Sequence, residues 1–122
     1  MQNKRRMGAV QETRVADWLR RRGYRILAQN YRCRFGEIDL IAAKNGYLIF
    51  IEVKYRSTDS CGAPQEAVDA RKQQRISNAA SCYLYMKQYP PDTPCRFDVA
   101  AVSGEEIELI RDAFPYCGNY SG

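Results

Sequence analysis

Residues 36–54, GEIDLIAAKNGYLIFIEVK, form two apolar runs rich in β-branched and aromatic residues around the dipeptide Asn45-Gly46. That dipeptide is typical of a two-residue type I′ turn, which needs positive φ at both central positions. The segment predicts a β-hairpin, which commits the chain to a sheet. Counting outward from the turn, Lys44 faces Tyr47, Asp39 faces Glu52 and Glu37 faces Lys54. Side chains alternate with period two, so Asp39, Glu52, Glu37 and Lys54 are expected on one face. Opposed residues have Cβ atoms about 4.5 to 5.5 Å apart, and two carboxylates at that spacing repel. A cation is needed between them. A divalent metal and the Lys54 ammonium are the two candidates, and together they describe a hydrolytic site for phosphodiesters.

Composition narrows the chemistry further. The chain has 122 residues, which fits a single domain spanning 1–122, since domains cluster at about 100–150 residues. No apolar run approaches the roughly 20 residues that span a bilayer. The start, MQNKRRMGAV, has basic residues without the apolar stretch of a secretory signal. A cytoplasmic protein without a membrane partner is expected. There are 5 cysteines, none in a C-x-x-C pair, and 0 histidines. A zinc site is disfavoured, a Ser-His-Asp or Cys-His triad is excluded, and the cysteines read as reduced packing residues. Catalysis would fall to carboxylates and lysine.

The net charge is +5. Lys4, Arg5, Arg6, Arg14, Arg20, Arg21, Arg22, Arg25, Arg32 and Arg34 all precede the carboxylates of the hairpin. Such clustering suits an electrostatic footprint for a nucleic-acid backbone. For Arg20 to Arg22 the alternative is a solvated face at a helix C-terminus.

Along the chain, residues 6–22 predict an amphipathic helix stopped by Gly23. Ala9, Glu12, Ala16 and Leu19 mark its inward stripe, an unusual place for a glutamate. Residues 24–31 predict a strand, followed by the hairpin. Alternation puts Ile38, Leu40, Ile49, Ile51 and Val53 on one hairpin face and Ile41, Leu48 and Phe50 on the other. Both faces should therefore be covered. A loop over 57–64 precedes a second helix over 65–87, with a break near Ala70 and an inward stripe of Val68, Lys72, Ile76, Ala79 and Tyr83. YPPDTP (89–94) is a loop, because its prolines deny it ladder donors. Strands over 96–102 and 106–111 close the fold, and no clear pattern follows Phe114. The fold class is α/β, a central mixed sheet flanked by helices, with a strand order that the sequence does not reveal.

Glu12, Asp39, Glu52 and Lys54 are the candidate catalytic residues. Magnesium takes oxygen ligands and keeps several waters, so one or two carboxylates such as Asp39 and Glu52 suffice to grip it. Glu12 would complete the site from the first helix or position a second metal. Lys54 acts either as a neutral base or as a cation orienting the nucleophile, and the nearby acids favour the charged role. Glu37 is its expected cross-strand partner. Gln65 and Lys72 on the second helix, and Arg56 just beyond the hairpin, are candidate substrate contacts; for Gln65 and Lys72 the alternative is a side chain reaching out to solvent.

Asp39 followed by Glu52-Val53-Lys54 resembles the PD-(D/E)xK signature of nucleases with the restriction-endonuclease-like fold. The wider run of GEIDLIA (36–42), FIEVKYR (50–56), RRGYRILAQNYR (21–32), KQQRISNAASCYL (72–84) and RFDVAAV (96–102) resembles the YraN-like family of bacterial proteins. That family is similar in turn to archaeal Holliday-junction resolvases. The resemblance covers residues 8–114. It implies Mg2+ or Mn2+ at Glu12, Asp39 and Glu52, the main-chain carbonyl of Val53 as a further ligand, and DNA as substrate. Two departures stand out: Ile38 replaces the proline of the signature, and Gln11 stands where the family tends to have glycine beside the helix glutamate. The expected function is a metal-dependent DNA endonuclease acting on branched or recombination DNA, for which cutting a junction would call for a homodimer. The alternatives are a non-catalytic nucleic-acid-binding or DNA-processing accessory module on the same fold, and a protein-interaction module.

Overall fold

Asn45 and Gly46 adopt φ of 53° and 83°, the pair of positive values that a type I′ turn requires. Lys44 pairs with Tyr47 across them, as counted from the sequence. The structure, a computed structural model, describes residues 4–55 and 68–118. Among these the order is α1 (Lys4–Arg20), β1 (Arg25–Cys33), β2 (Gly36–Lys44), β3 (Tyr47–Tyr55), α2 (Ala70–Met86), β4 (Cys95–Ser103) and β5 (Glu106–Phe114). The strands lie side by side in chain order as one five-stranded sheet. Only β3 and β4 are parallel, and the chain returns between them through α2, the crossover that a parallel pair demands. This is the α/β, restriction-endonuclease-like arrangement expected, a mixed sheet with helices packed on it.

Each helix covers one face. Val15, Ala16 and Leu19 of α1 are buried with Leu40, Ala42, Ile49, Ile51, Ala100 and Val102. On the opposite face Ile76, Ala79, Ala80 and Tyr83 of α2 pack with Ile38, Ile41, Leu48, Phe50, Phe97 and Val99. Burying each large apolar side chain contributes about 1.5 to 3 kcal/mol, so the two layers hold the sheet between them. Gly23, at φ 89°, ends α1 in a Schellman motif: the Tyr24 N–H donates to the Leu19 carbonyl and the Gly23 N–H to that of Arg20, both at 3.1 Å. Regular helix therefore stops at Arg20, two residues short of the expected end. α2 begins at Ala70, where the Asp69 carboxylate accepts from the Lys72 N–H at 2.9 Å and caps the first turn. The predicted 57–64 loop and the 65–67 portion of the expected helix lie outside the described residues. β5 runs past Arg111 to Phe114, whose ring stacks on Phe97 at 5.2 Å.

One expectation about faces is overturned. Alternation groups Ile38 with Leu40, yet it packs on the α2 side with Ile41 and Phe50. Regular pleating fails around Asp39. Across from it on β1, Asn30 takes φ 55°, and the pairing of β2 to β3 stops at Leu40↔Ile51. Beyond that point the two strands part. The described cysteines Cys33, Cys82, Cys95 and Cys117 are free thiols. Among the described residues no helix is long and apolar enough to cross a membrane.

Candidate active site

The parting of β2 and β3 makes an opening in the sheet, and Asp39 sits in it. In a regular hairpin the Val53 N–H would donate to the Ile38 carbonyl; here it donates to Oδ2 of Asp39 at 2.8 Å. The side chain thus substitutes for the missing ladder acceptor. Asp39 and Glu52 are accordingly not partners in the ladder, contrary to the hairpin count, although they remain close enough to interact. Burial, the Glu52 carboxylate and the Glu12 carboxylate push the Asp39 pKa up to about 7, against the opposing pull of the Val53 N–H and the Lys72 ammonium. In a carboxyl group shifted so far the charged form is poorly solvated and crowded by like charge.

Glu52 follows Phe50 on the α2 face of β3 and is buried. Its Oε1 lies 2.6 Å from the Lys72 ammonium on the first turn of α2. Burial draws the Lys72 pKa down, but the bond to Glu52 and the charges of Glu52, Asp39 and Glu37 outweigh it, and the net shift is upward. Glu12 reaches the cluster from α1. It is buried, and its Oε1 has no hydrogen-bond partner among the described residues. Burial raises its pKa, as do Glu37 and Glu52, while Arg32 opposes them. Three acids from α1, β2 and β3 therefore sense one another.

Lys54 lies two residues beyond Glu52, and regular alternation along β3 puts both on one face. Glu37 is not its partner: the Glu37 carboxylate pairs with Arg32 Nε at 3.1 Å. The divergence of β2 from β3 separates the expected pair, whereas β1 stays in register with Arg32 opposite Glu37. Arg56 and Gln65 lie outside the described residues. Much of the basic N-terminal cluster is engaged locally. Arg20 pairs with Asp17, Arg22 stacks over Trp18 and donates to its carbonyl, and Arg34 lies over Phe35.

The donor set suits a hard divalent cation. Glu12 has a buried carboxylate oxygen without a hydrogen-bond partner among the described residues, burial and like charge raise the Asp39 pKa, and oxygen donors match magnesium or manganese. Among the described residues, however, no three acidic or cysteine side chains already enclose an ion-sized space. The Lys72 ammonium is the cation paired with Glu52. A cleft of about 330 Å³ between α2 and the β4–β5 edge, lined by Leu84, Phe97, Phe114 and Tyr116 among others, includes none of these acids. Charge, rather than concavity, locates the site.

The sequence reading missed Asp98. It is fully buried, accepts from Arg96 Nε at 3.1 Å through both oxygens and from the Asp112 N–H at 2.9 Å. Like Asp39, it satisfies an N–H where a ladder breaks, here at the irregularity between Phe97 and Val99. A signal was present: an aspartate inside the apolar run RFDVAAV must find a partner, and the arginine two residues earlier shares its face.

The sequence profile of the uncharacterised protein family UPF0102 matches residues 11–102. Curated relatives carry the same name, UPF0102 protein. One from Lachnoclostridium phytofermentans is 51% identical over 117 residues, covering 96% of this chain and 99% of its own. Another from Syntrophus aciditrophicus is 50% identical over 113 residues, covering 89% and 88%. A third, from Moorella thermoacetica, is 43% identical over 117 residues, covering 91% and 97%.

Proposed function

The chain belongs to the uncharacterised protein family UPF0102, and from its site we propose that it is a Mg2+- or Mn2+-dependent endonuclease hydrolysing phosphodiester bonds in DNA. The observation that carries this reading is the electrostatic coupling of Glu12, Asp39 and Glu52, from separate elements, where burial and the neighbouring carboxylates leave Asp39 with its pKa at about 7. A bound divalent cation supplies an acidified water and offsets charge on the reacting phosphate. Asp39 and Glu52 would hold it, joined by Glu12 and the Val53 carbonyl. Neighbouring N–H and C=O groups of one strand residue point to the same edge, so the Val53 carbonyl shares the opening into which its N–H donates. Lys54 contributes a fixed positive charge beside Glu52, orienting the attacking water and steadying the phosphate. The water oxygen bonds phosphorus as the opposite P–O ester bond breaks; the attacking water gives up its proton to solvent, and solvent protonates the departing oxygen. Arg56 and Gln65 are proposed substrate contacts from their sequence positions alone. Symmetric cutting of a branched or recombination intermediate needs two such sites, hence a homodimer.

The test is a cleavage panel of linear, branched and single-stranded DNA and of RNA, with magnesium, manganese or chelator. Asp39→Asn and Lys54→Ala should each lower cleavage by about 10²-fold or more while leaving DNA binding largely intact. Undiminished cutting by both variants would remove the nuclease reading. One observation favours a second reading, a non-catalytic DNA-binding or DNA-processing module: Lys72, not an enclosed ion site, neutralises Glu52. Its mark is DNA affinity that falls steeply with salt and no metal-dependent nicking.

A further inference from the structure

We infer that Lys72 is a resident counter-cation of the acidic opening, which holds Glu52 in the metal-free protein and is displaced onto substrate phosphate when a divalent metal binds. This rests on the metal-dependent reading above and extends it to how metal and DNA communicate.

The two partners of the ion pair are unequally held. The Glu52 side chain is 7% exposed and that of Lys72 is 43% exposed, at an N–O distance of 2.6 Å. The carboxylate is fixed by the strand; the lysine is the partner free to move. Its backbone is anchored, because the Lys72 N–H donates to the Asp69 cap and the next turn lies against Gly36, where Arg75 comes within 3.2 Å of an added Cβ. Movement is confined to the flexible four-carbon stem. A divalent ion on Glu52 and Asp39 would lie within a few ångströms of the ammonium, and like charges at that range repel strongly in a partly buried setting. Metal therefore has to evict Lys72 from Glu52. The released ammonium, still carried on the first turn of α2, becomes a point charge for a phosphate.

Two consequences follow. In the metal-free state Lys72 offsets the repulsion among Glu12, Asp39 and Glu52. In the loaded state DNA and metal bind cooperatively, since phosphate stabilises the lysine in the position that metal requires, and the coupling is reciprocal.

Direct Mn2+ titration without DNA, by calorimetry and electron paramagnetic resonance, tests the inference. Lys72→Met should bind Mn2+ about tenfold more tightly than the wild type, because a competing charge is gone. Equal or weaker Mn2+ binding by Lys72→Met, with the wild type binding normally, overturns the inference and leaves the nuclease reading standing. If neither protein binds Mn2+ at millimolar concentration, both fall. Should Lys72→Met fail to fold, lysine side-chain NMR on the wild type decides. Saturating Mg2+ should move the Lys72 ammonium signal toward that of a free lysine, and an unmoved signal in the Mg2+-bound protein rejects displacement.

Discussion

Asp39 does two jobs that pull against each other. Its carboxylate replaces a backbone acceptor for Val53, while burial and the charges of Glu52 and Glu12 raise its pKa to about 7. A folded pKa above the ordinary value of 3.8 means that the native state holds the proton more tightly than the unfolded chain does. Stability from this group is then fully present below about pH 4 and is lost as the pH rises through about 7. Glu12, also shifted upward, acts in the same sense. Asp39→Asn removes the titration yet keeps an oxygen to accept from Val53. In chelator, the variant should be more stable than the wild type at pH 8, by about 1 to 3 kcal/mol, with the gap closing toward pH 4. Thermal melts across that range provide the check, and a variant less stable at pH 8 would contradict the charge argument. The same substitution should abolish cleavage, so one residue trades stability for a proposed chemistry.

Hairpin and helix divide the work of positioning these acids. The β2–β3 hairpin is regular near its turn and open at its far end, and α2 crosses that end with Lys72 over Glu52. Two glycines of one strand pair make the difference testable. At Gly46, φ is 83° and nothing lies within 4 Å of an added Cβ. Gly46→Ala should cost about 1 kcal/mol through backbone conformation alone, leaving metal and DNA binding unchanged. At Gly36 an added Cβ meets the Arg75 Cβ and carbonyl oxygen at 3.2 Å. Gly36→Ala should cost about 1 to 3 kcal/mol by pressing α2 off β2 and by straining a backbone at φ 157°, and because Lys72 moves with the helix it should also loosen the ion pair to Glu52, so that Mn2+ binds more tightly and DNA more weakly. Chemical denaturation together with binding assays separates the two; equal effects on binding would show that α2 does not set the site.

Across the whole molecule, the sheet is closed by buried polar contacts as well as by the two apolar layers. Asp98 ties β4 to β5 through the Asp112 N–H, and through Arg96 it reaches the Tyr24 hydroxyl at the start of the sheet. Asp98→Ala leaves a mostly buried guanidinium and a backbone N–H without their acceptor, and should destabilise the protein by about 3 to 5 kcal/mol in urea. A loss below 1 kcal/mol would mean that water replaces the carboxylate. The hairpin, its type I′ turn, the stop at Gly23 and the inward place of Glu12 were legible in the sequence, because φ preference and hydrophobic period act over a few residues. So was the closeness of Asp39 to Glu52, though not as partners in the ladder. Other features depend on residues brought together from distant parts of the chain: the strand order, the end of pairing at Leu40↔Ile51, the transfer of Ile38 to the α2 side, Arg32 rather than Lys54 beside Glu37, and Lys72 on Glu52. Their energies come from packing and charge contacts between separate elements, which no local window of sequence contains, so only the tertiary structure could decide them.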